Sequence, residues 1–234
     1  MIAVGHQPNY LPYLGFFAKA AQSDVFVIVN NVQFVKRGPF GFQHRTRIRT
    51  KEGWIWLTVP VLTKGKYHQL ISETQINNAV PWRRKHWRSL ELNYHSAPYF
   101  DVHAPFFQEL YARDWAKLQD LNVEIIEYLL RVLGIGSKVV VSADAGIAGA
   151  ATDLIIDICK KTGAGTYIHG KHGGDYADFD KIDAAGIVNR VLDYGHPTYA
   201  QCHPGFEPYM SVVDLLFNCG EKSLDILLEG NRVT

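Results

Sequence analysis

The chain has 234 residues, 47% hydrophobic and 20% charged, enough to bury a full core as one large or two small domains. Its 24 Lys and Arg against 23 Asp and Glu leave a net charge of +1, which argues against a general polyanion binder such as a nucleic-acid protein. Cys159, Cys202 and Cys219 form no C-x-x-C pair and no zinc spacing, and no apolar run approaches the roughly 20 residues that span a bilayer.

Reduced thiols and a cytosolic chain are therefore expected. His6, Asn9 and the early prolines interrupt any leading apolar run, so no signal peptide is expected either.

Ile2 to Val4 reads as a short strand, GHQPN as a loop, and Leu11, Leu14, Ala18 and Ala21 recur at helical spacing. Pro12 fits only in that helix's first turn. VFVIV, after Asp24, is a continuous β-branched and aromatic run typical of a strand buried on both faces. Two such strands joined through a helix form a βαβ unit and predict a parallel sheet.

WIWLTVPV at 54–61 and the stretch Leu70 to Ile76 read as further strands. Pro81 opens the helix WRRKHWRSLELNY, and Tyr99 to Tyr111 and Asp114 to Leu133 read as helices, with Gly134 closing the last. Val139 to Ser142, Ala148 to Lys161 and Thr166 to His169 form a second βαβ pattern, followed by a strand at Ile187 to Leu192 and a helix at Tyr209 to Phe217. The expectation is an α/β fold in one domain spanning 1–234. Its central sheet is parallel or mixed, with a helical insertion at about residues 81–134.

The segment VNNVQFVKRGPFGFQHRTRIRT at 29–50 carries Lys36, Arg37, Arg45, Arg47 and Arg49 and no carboxylate. Like charges gathered in a neutral chain need a partner, and the amides of Asn30, Asn31, Gln33 and Gln43 between them suit a shaped anionic ligand. Asn30, Gln33, Lys36, Arg37 and Arg45 are expected at the site, and Arg49 at the surface. Arg45, Arg47 and Arg49 alternate, so on a strand they face one side, which a solvated face also explains.

His6 and Asn9 follow the first strand, where α/β proteins place ligand groups. His6 is the expected general base, its ordinary pKa being close to neutrality. Asn9 is read equally as a ligand group or a helix cap.

HGKHGGDY at 169–176, after a strand, suits close backbone approach to a ligand, which marks His169 and Gly170. His169 and His172 with Asp175 have no fixed geometry in a loop, and no metal is expected. The helix bearing Arg83, Arg84, Lys85 and Arg88 is read as core tryptophans with solvated charges rather than a nucleic-acid surface.

HQPNYLPYLGFFAKAAQSDVFVIVNNVQFVKRG resembles the opening of the WbqC-like proteins in order and spacing. WIWLTVPV, WRRKHWRSLELNYHSAPYF, TYIHGKHGGDY and HPTYAQCHPGFEPYMSVVDLLFNCG look like the same family, so the resemblance spans nearly the whole chain. It implies a place in O-antigen or other surface polysaccharide synthesis. Where the family pattern suggests carboxylates after the second strand this chain has Asn30 and Asn31, and its loop near Gly170 is richer in histidine.

Residues and resemblance together imply a cytosolic transferase that uses a nucleotide-activated sugar, adding an acyl or aminoacyl group to a sugar amine. Its partners would be a small nucleotide sugar and an acyl or aminoacyl donor, with no nucleic acid and no membrane insertion. The alternatives are a nucleotidylyltransferase, from the loose likeness of His-x-x-Asn to H-x-G-H, and a non-catalytic sugar-nucleotide binding or scaffold protein.

Overall fold

The computed structural model describes residues 1–36, 38, 41–231 and 233; Arg37 lies outside the described residues. Five parallel strands form the central sheet in the order β5-β2-β1-β6-β7. They are β1 (Ile2–His6), β2 (Val25–Ile28), β5 (Lys138–Val141), β6 (Thr166–Gly170) and β7 (Val188–Leu192). The opening strands are adjacent and parallel, in register from Ala3↔Val25 to His6↔Ile28. Taken as the first to fifth parallel strands in chain order, they lie 3-2-1-4-5, as in doubly wound mononucleotide-binding folds.

The alternation of side chains divides the core into two layers. Val4, Phe26, Ile28, Ile168 and Leu192 pack with α1 (Leu14–Ala20) and the larger helical layer. Ala3, Val25, Val27, Val29 and Tyr167 pack beneath α5 (Ala151–Thr162) and α6 (Phe179–Ala184). The VFVI strand therefore has no polar position because both of its faces are covered.

Between β2 and β5 lie an antiparallel hairpin, β3 (Arg45–Thr50) with β4 (Gly53–Thr58), and three helices, α2 (Trp82–Tyr94), α3 (Phe100–Ala112) and α4 (Leu118–Val132). The inserted region thus begins well before residue 81. Leu70 to Ile76 is not a strand: Ile71–Glu73 forms a 3-10 turn flanked by the isolated bridges Gln33↔Leu70 and Val61↔Ile76. The Glu73 carboxylate accepts from the Leu70 N–H at 2.9 Å, and that local bond favours a turn over an extended ladder.

Helix α1 begins at Leu14, with Tyr13 rather than Asn9 at its N-cap and with Pro12 outside it. Near the C-terminus, α7 (Val212–Cys219) and the short α8 (Ser223–Leu228) cover α1. No described helix is long and apolar enough to cross a membrane.

Candidate functional site

Connections leave β1 toward β2 and leave β6 toward β7, in opposite directions, so β1 and β6 flank the switch point where such sheets open a crevice. The strands separate there. Their pairing ends at Ala3↔Tyr167, while β1 continues beside β2 as far as His6. Gly5 therefore turns its N–H and C=O into the gap. The Tyr167 hydroxyl accepts from the N–H at 3.1 Å, and the Lys19 ammonium donates to the C=O at 3.4 Å. A Cβ on residue 5 would lie 2.9 Å from both Tyr167 Oη and Ile158 Cδ1, so any larger residue would force these two side chains to move.

Lys19 comes from α1 and has no carboxylate partner among the described residues. Burial lowers its pKa to about 8. His6 packs against Phe16, with ring centroids 4.5 Å apart, and its Nδ1 donates to the Gln7 carbonyl at 3.0 Å. Nε2 therefore carries the lone pair. Burial first, and then the charge of Lys19, lower the His6 pKa to about 3, so His6 is neutral at any physiological pH. Lys19 is the group in the crevice that titrates near neutrality. Its sequence signal was a single charge inside the apolar run LGFFAKAA.

His169 and Gly170 end β6 on the other side of the gap. His169 is fully buried beneath the 170–176 loop: Nε2 pairs with Asn189 Oδ1 at 2.6 Å, and a Cβ on Gly173 would strike its ring. Its nearest role is to seat the loop. His172 and Asp175 form an exposed pair at 3.2 Å, and among the described residues no three His, Cys, Asp or Glu side chains gather as a metal would require.

Asn30 follows β2 at the same sheet edge as His6 but turns toward β5. Its Nδ2 donates to Gln119 at 2.8 Å, and its Oδ1 accepts from the Ala143 N–H at 3.2 Å. Asn31 Oδ1 accepts from the Ser142 hydroxyl at 2.7 Å and its Nδ2 donates to the Ile147 carbonyl. Two amides where carboxylates were expected thus pin the loop after β5. A carboxylate has no N–H and could not reproduce the donated bonds. Gln33 donates to the Tyr67 carbonyl and Lys36 to Thr63 Oγ1, both at the surface. Asn9 is buried.

The loop after β1 is tied along its length to the hairpin. Gln7 Oε1 accepts from Gln43 Nε2, Tyr10 N–H donates to the Phe42 carbonyl, and Thr46 donates to the Leu11 carbonyl. Tyr13 bridges Ser211, whose N–H donates to the Arg47 carbonyl. Two non-glycine residues with left-handed backbone, Leu11 (φ 43°) and Tyr209 (φ 61°), lie in these connections, and such strain collects at functional loops.

On the outer hairpin face the arginine row divides. The Arg45 guanidinium lies 4.6 Å from the Trp56 ring centre and Arg47 lies 5.1 Å from that of Trp54. Arg49, expected at the surface, is 3% exposed, because the 201–207 loop closes over that end of the hairpin. It donates to the carbonyls of Thr50, Gly53 and Pro204, and Gln201 links it to the buried Asp214.

Residues 7–226 match the WbqC-like protein family. Over 223 residues the chain is 35% identical to the uncharacterized protein Rv1507c of Mycobacterium tuberculosis, an alignment covering 94% of this chain and 95% of that one. No solved structure matches the chain.

Proposed function

Because the chain belongs to the WbqC-like protein family, we propose that it is a transferase acting on a nucleotide-activated amino sugar. The reaction we infer joins an acyl or aminoacyl group to the sugar amine, in the cytosol, as a step of surface polysaccharide synthesis. The observation that carries this reading is a cationic Lys19 beside a neutral His6 at the switch point, with no carboxylate paired to Lys19 among the described residues.

In this reaction the amine nitrogen attacks the acyl carbonyl carbon, the bond from that carbon to the donor's leaving group breaks, and the amine gives up a proton. His6 Nε2 accepts a hydrogen bond from the amine and aims its lone pair at the carbonyl. A pKa near 3 makes His6 a weak base, so its contribution is orientation. Lys19 Nζ, in its neutral fraction, takes the amine proton; as a cation it complements the developing oxyanion. Lys36, Arg37 and Arg45 serve the diphosphate, with Arg37 resting on the sequence alone.

The test is mass spectrometry of nucleotide-linked amino sugars incubated with the protein and a panel of acyl and aminoacyl donors. An acyl mass added to the sugar, lost in Lys19→Met, supports the reading; no modified sugar across the panel overturns it. The 3-2-1-4-5 strand order and a histidine at the end of β1 favour nucleotidyl transfer as a second reading, a fold-level analogy. Pyrophosphate release from a nucleoside triphosphate and a sugar phosphate would mark it. Tight binding without turnover would mark a scaffold.

A further inference from the structure

The outer face of the β3–β4 hairpin holds more exposed aromatic surface than its fold requires. Trp54 and Trp56 are 41% and 38% exposed, and Phe42 and Tyr209 lie open beside them. Contiguous apolar surface left open to water costs free energy and marks an interaction site. Arg45 and Arg47 stack on these rings and enter no salt bridge among the described residues; Glu207 is the charged neighbour of Arg47.

The Trp54 and Trp56 rings meet at 85°, forming a corner rather than a flat wall. Gln43–Gln7 ties the base of the patch to the loop after β1, and Tyr209, Tyr13 and Tyr194 lead from it toward the end of β7. The Tyr194 hydroxyl on that second path is buried with no partner among the described residues.

We propose that this face is a stacking platform for the base of a nucleoside diphosphate, which takes the place of the Arg45 guanidinium over Trp56 and Phe42 while the displaced Arg45 and Arg47 hold the phosphates. Planar bases stack on indole and on guanidinium alike, and guanidinium forks match phosphate oxygens. This rests on the proposed use of a nucleotide-linked sugar and assigns the half of that ligand the switch point does not hold. Two cations on a corner-shaped patch suit one diphosphate better than an anionic membrane, which rewards broad basic surfaces.

The test is quenching of tryptophan fluorescence by UDP, GDP and dTDP, with inorganic pyrophosphate and ribose 5-phosphate as base-free probes. Wild type and Trp56→Leu are compared, and thermal unfolding confirms that the variant folds. Nucleotides should quench and base-free probes should bind far more weakly. Trp56→Leu should weaken nucleotide binding by about tenfold to a hundredfold with an unchanged Tm. Equal binding of pyrophosphate and UDP, or a Trp56→Leu variant that binds UDP as wild type does, overturns the platform. So does binding of phosphatidylglycerol vesicles in place of nucleotides. Acyl transfer that survives Trp56→Leu with unchanged KM defeats the platform alone. UDP quenching without acyl transfer defeats the transferase reading alone.

Discussion

The Lys19 ammonium donates to the Gly5 carbonyl oxygen at 3.4 Å, across the point where β1 parts from β6. A helix residue thus takes the place of a missing strand partner. The same contact positions a cation, with no carboxylate partner among the described residues, at the edge where the fold opens.

Lys19→Met should stabilise the protein in the absence of ligand while abolishing ligand-induced stabilisation and turnover. A pKa lowered to about 8 means that the folded state disfavours the charge. Below pH 8 both folded and unfolded chains carry the proton and the full penalty is present; it fades as pH rises from 8 toward 10.5. Lys19 is only half-buried as a residue, so the expected gain is about 1–2 kcal/mol rather than the roughly 3 kcal/mol of the whole shift. Urea unfolding at pH 7 measures it, and a destabilised variant would refute the account.

Gly5→Ala should cost about 1–3 kcal/mol through overpacking against Tyr167 and Ile158. Tyr167→Phe removes one of the two obstructing atoms, so the double variant should lose less than the sum of the single ones. Strict additivity in urea unfolding would show that the close approach is not the cause.

Arg47→Ala and Arg49→Ala should part company although the residues are two apart on one strand face. Arg49→Ala leaves several carbonyls without donors and the buried Asp214 without a nearby cation, for a loss of about 3–5 kcal/mol. Arg47→Ala should change stability by less than about 1 kcal/mol. Denaturation midpoints decide this, and equal losses would refute it.

Asn30→Ala should destabilise by about 1–2 kcal/mol, since it removes the partners of Gln119 and of the Ala143 N–H at a half-buried junction. The stability increment conferred by a sugar nucleotide should stay at its wild-type size. A variant of normal stability and weakened binding would move Asn30 into the site.

Stability should fall as pH drops from 6.5 toward 4. Burial lowers the pKa of His86 to about 4, so the unfolded chain takes up a proton near pH 6.5 that the folded chain refuses. The stabilisation is fully present above pH 6.5. For His86, which shares a 2.8 Å bond with the Tyr10 hydroxyl, the loss over this range is about 3 kcal/mol. His6 and His44 act in the same direction. His86→Gln does not titrate here, and urea unfolding across pH should show a shallower acid limb; an unchanged limb would clear His86.

The sequence by itself determined the parallel β1–β2 unit, the α/β class, the helices between 81 and 134 and the family. These rest on local signals: a strand without polar positions, helical spacing, and punctuation by proline and glycine. It also brought His6 and the 169–176 loop to the C-terminal ends of β1 and β6, since the ends of parallel strands share one edge of the sheet. Only the tertiary structure decided what each polar side chain does. Lys19 was hidden inside an apolar helix, and its meaning depends on β6, nearly 150 residues away, ending its ladder early. Arg45, Arg47 and Arg49 look alike on one strand, yet the 201–207 loop covers the last and leaves the others half-buried. Asn30 turned from ligand group to clip because its amide partners come from α4 and the loop after β5. Charge and residue type are local properties, but solvation and partnership come from segments distant in sequence, so a pattern can locate a site edge without saying which of its side chains are free.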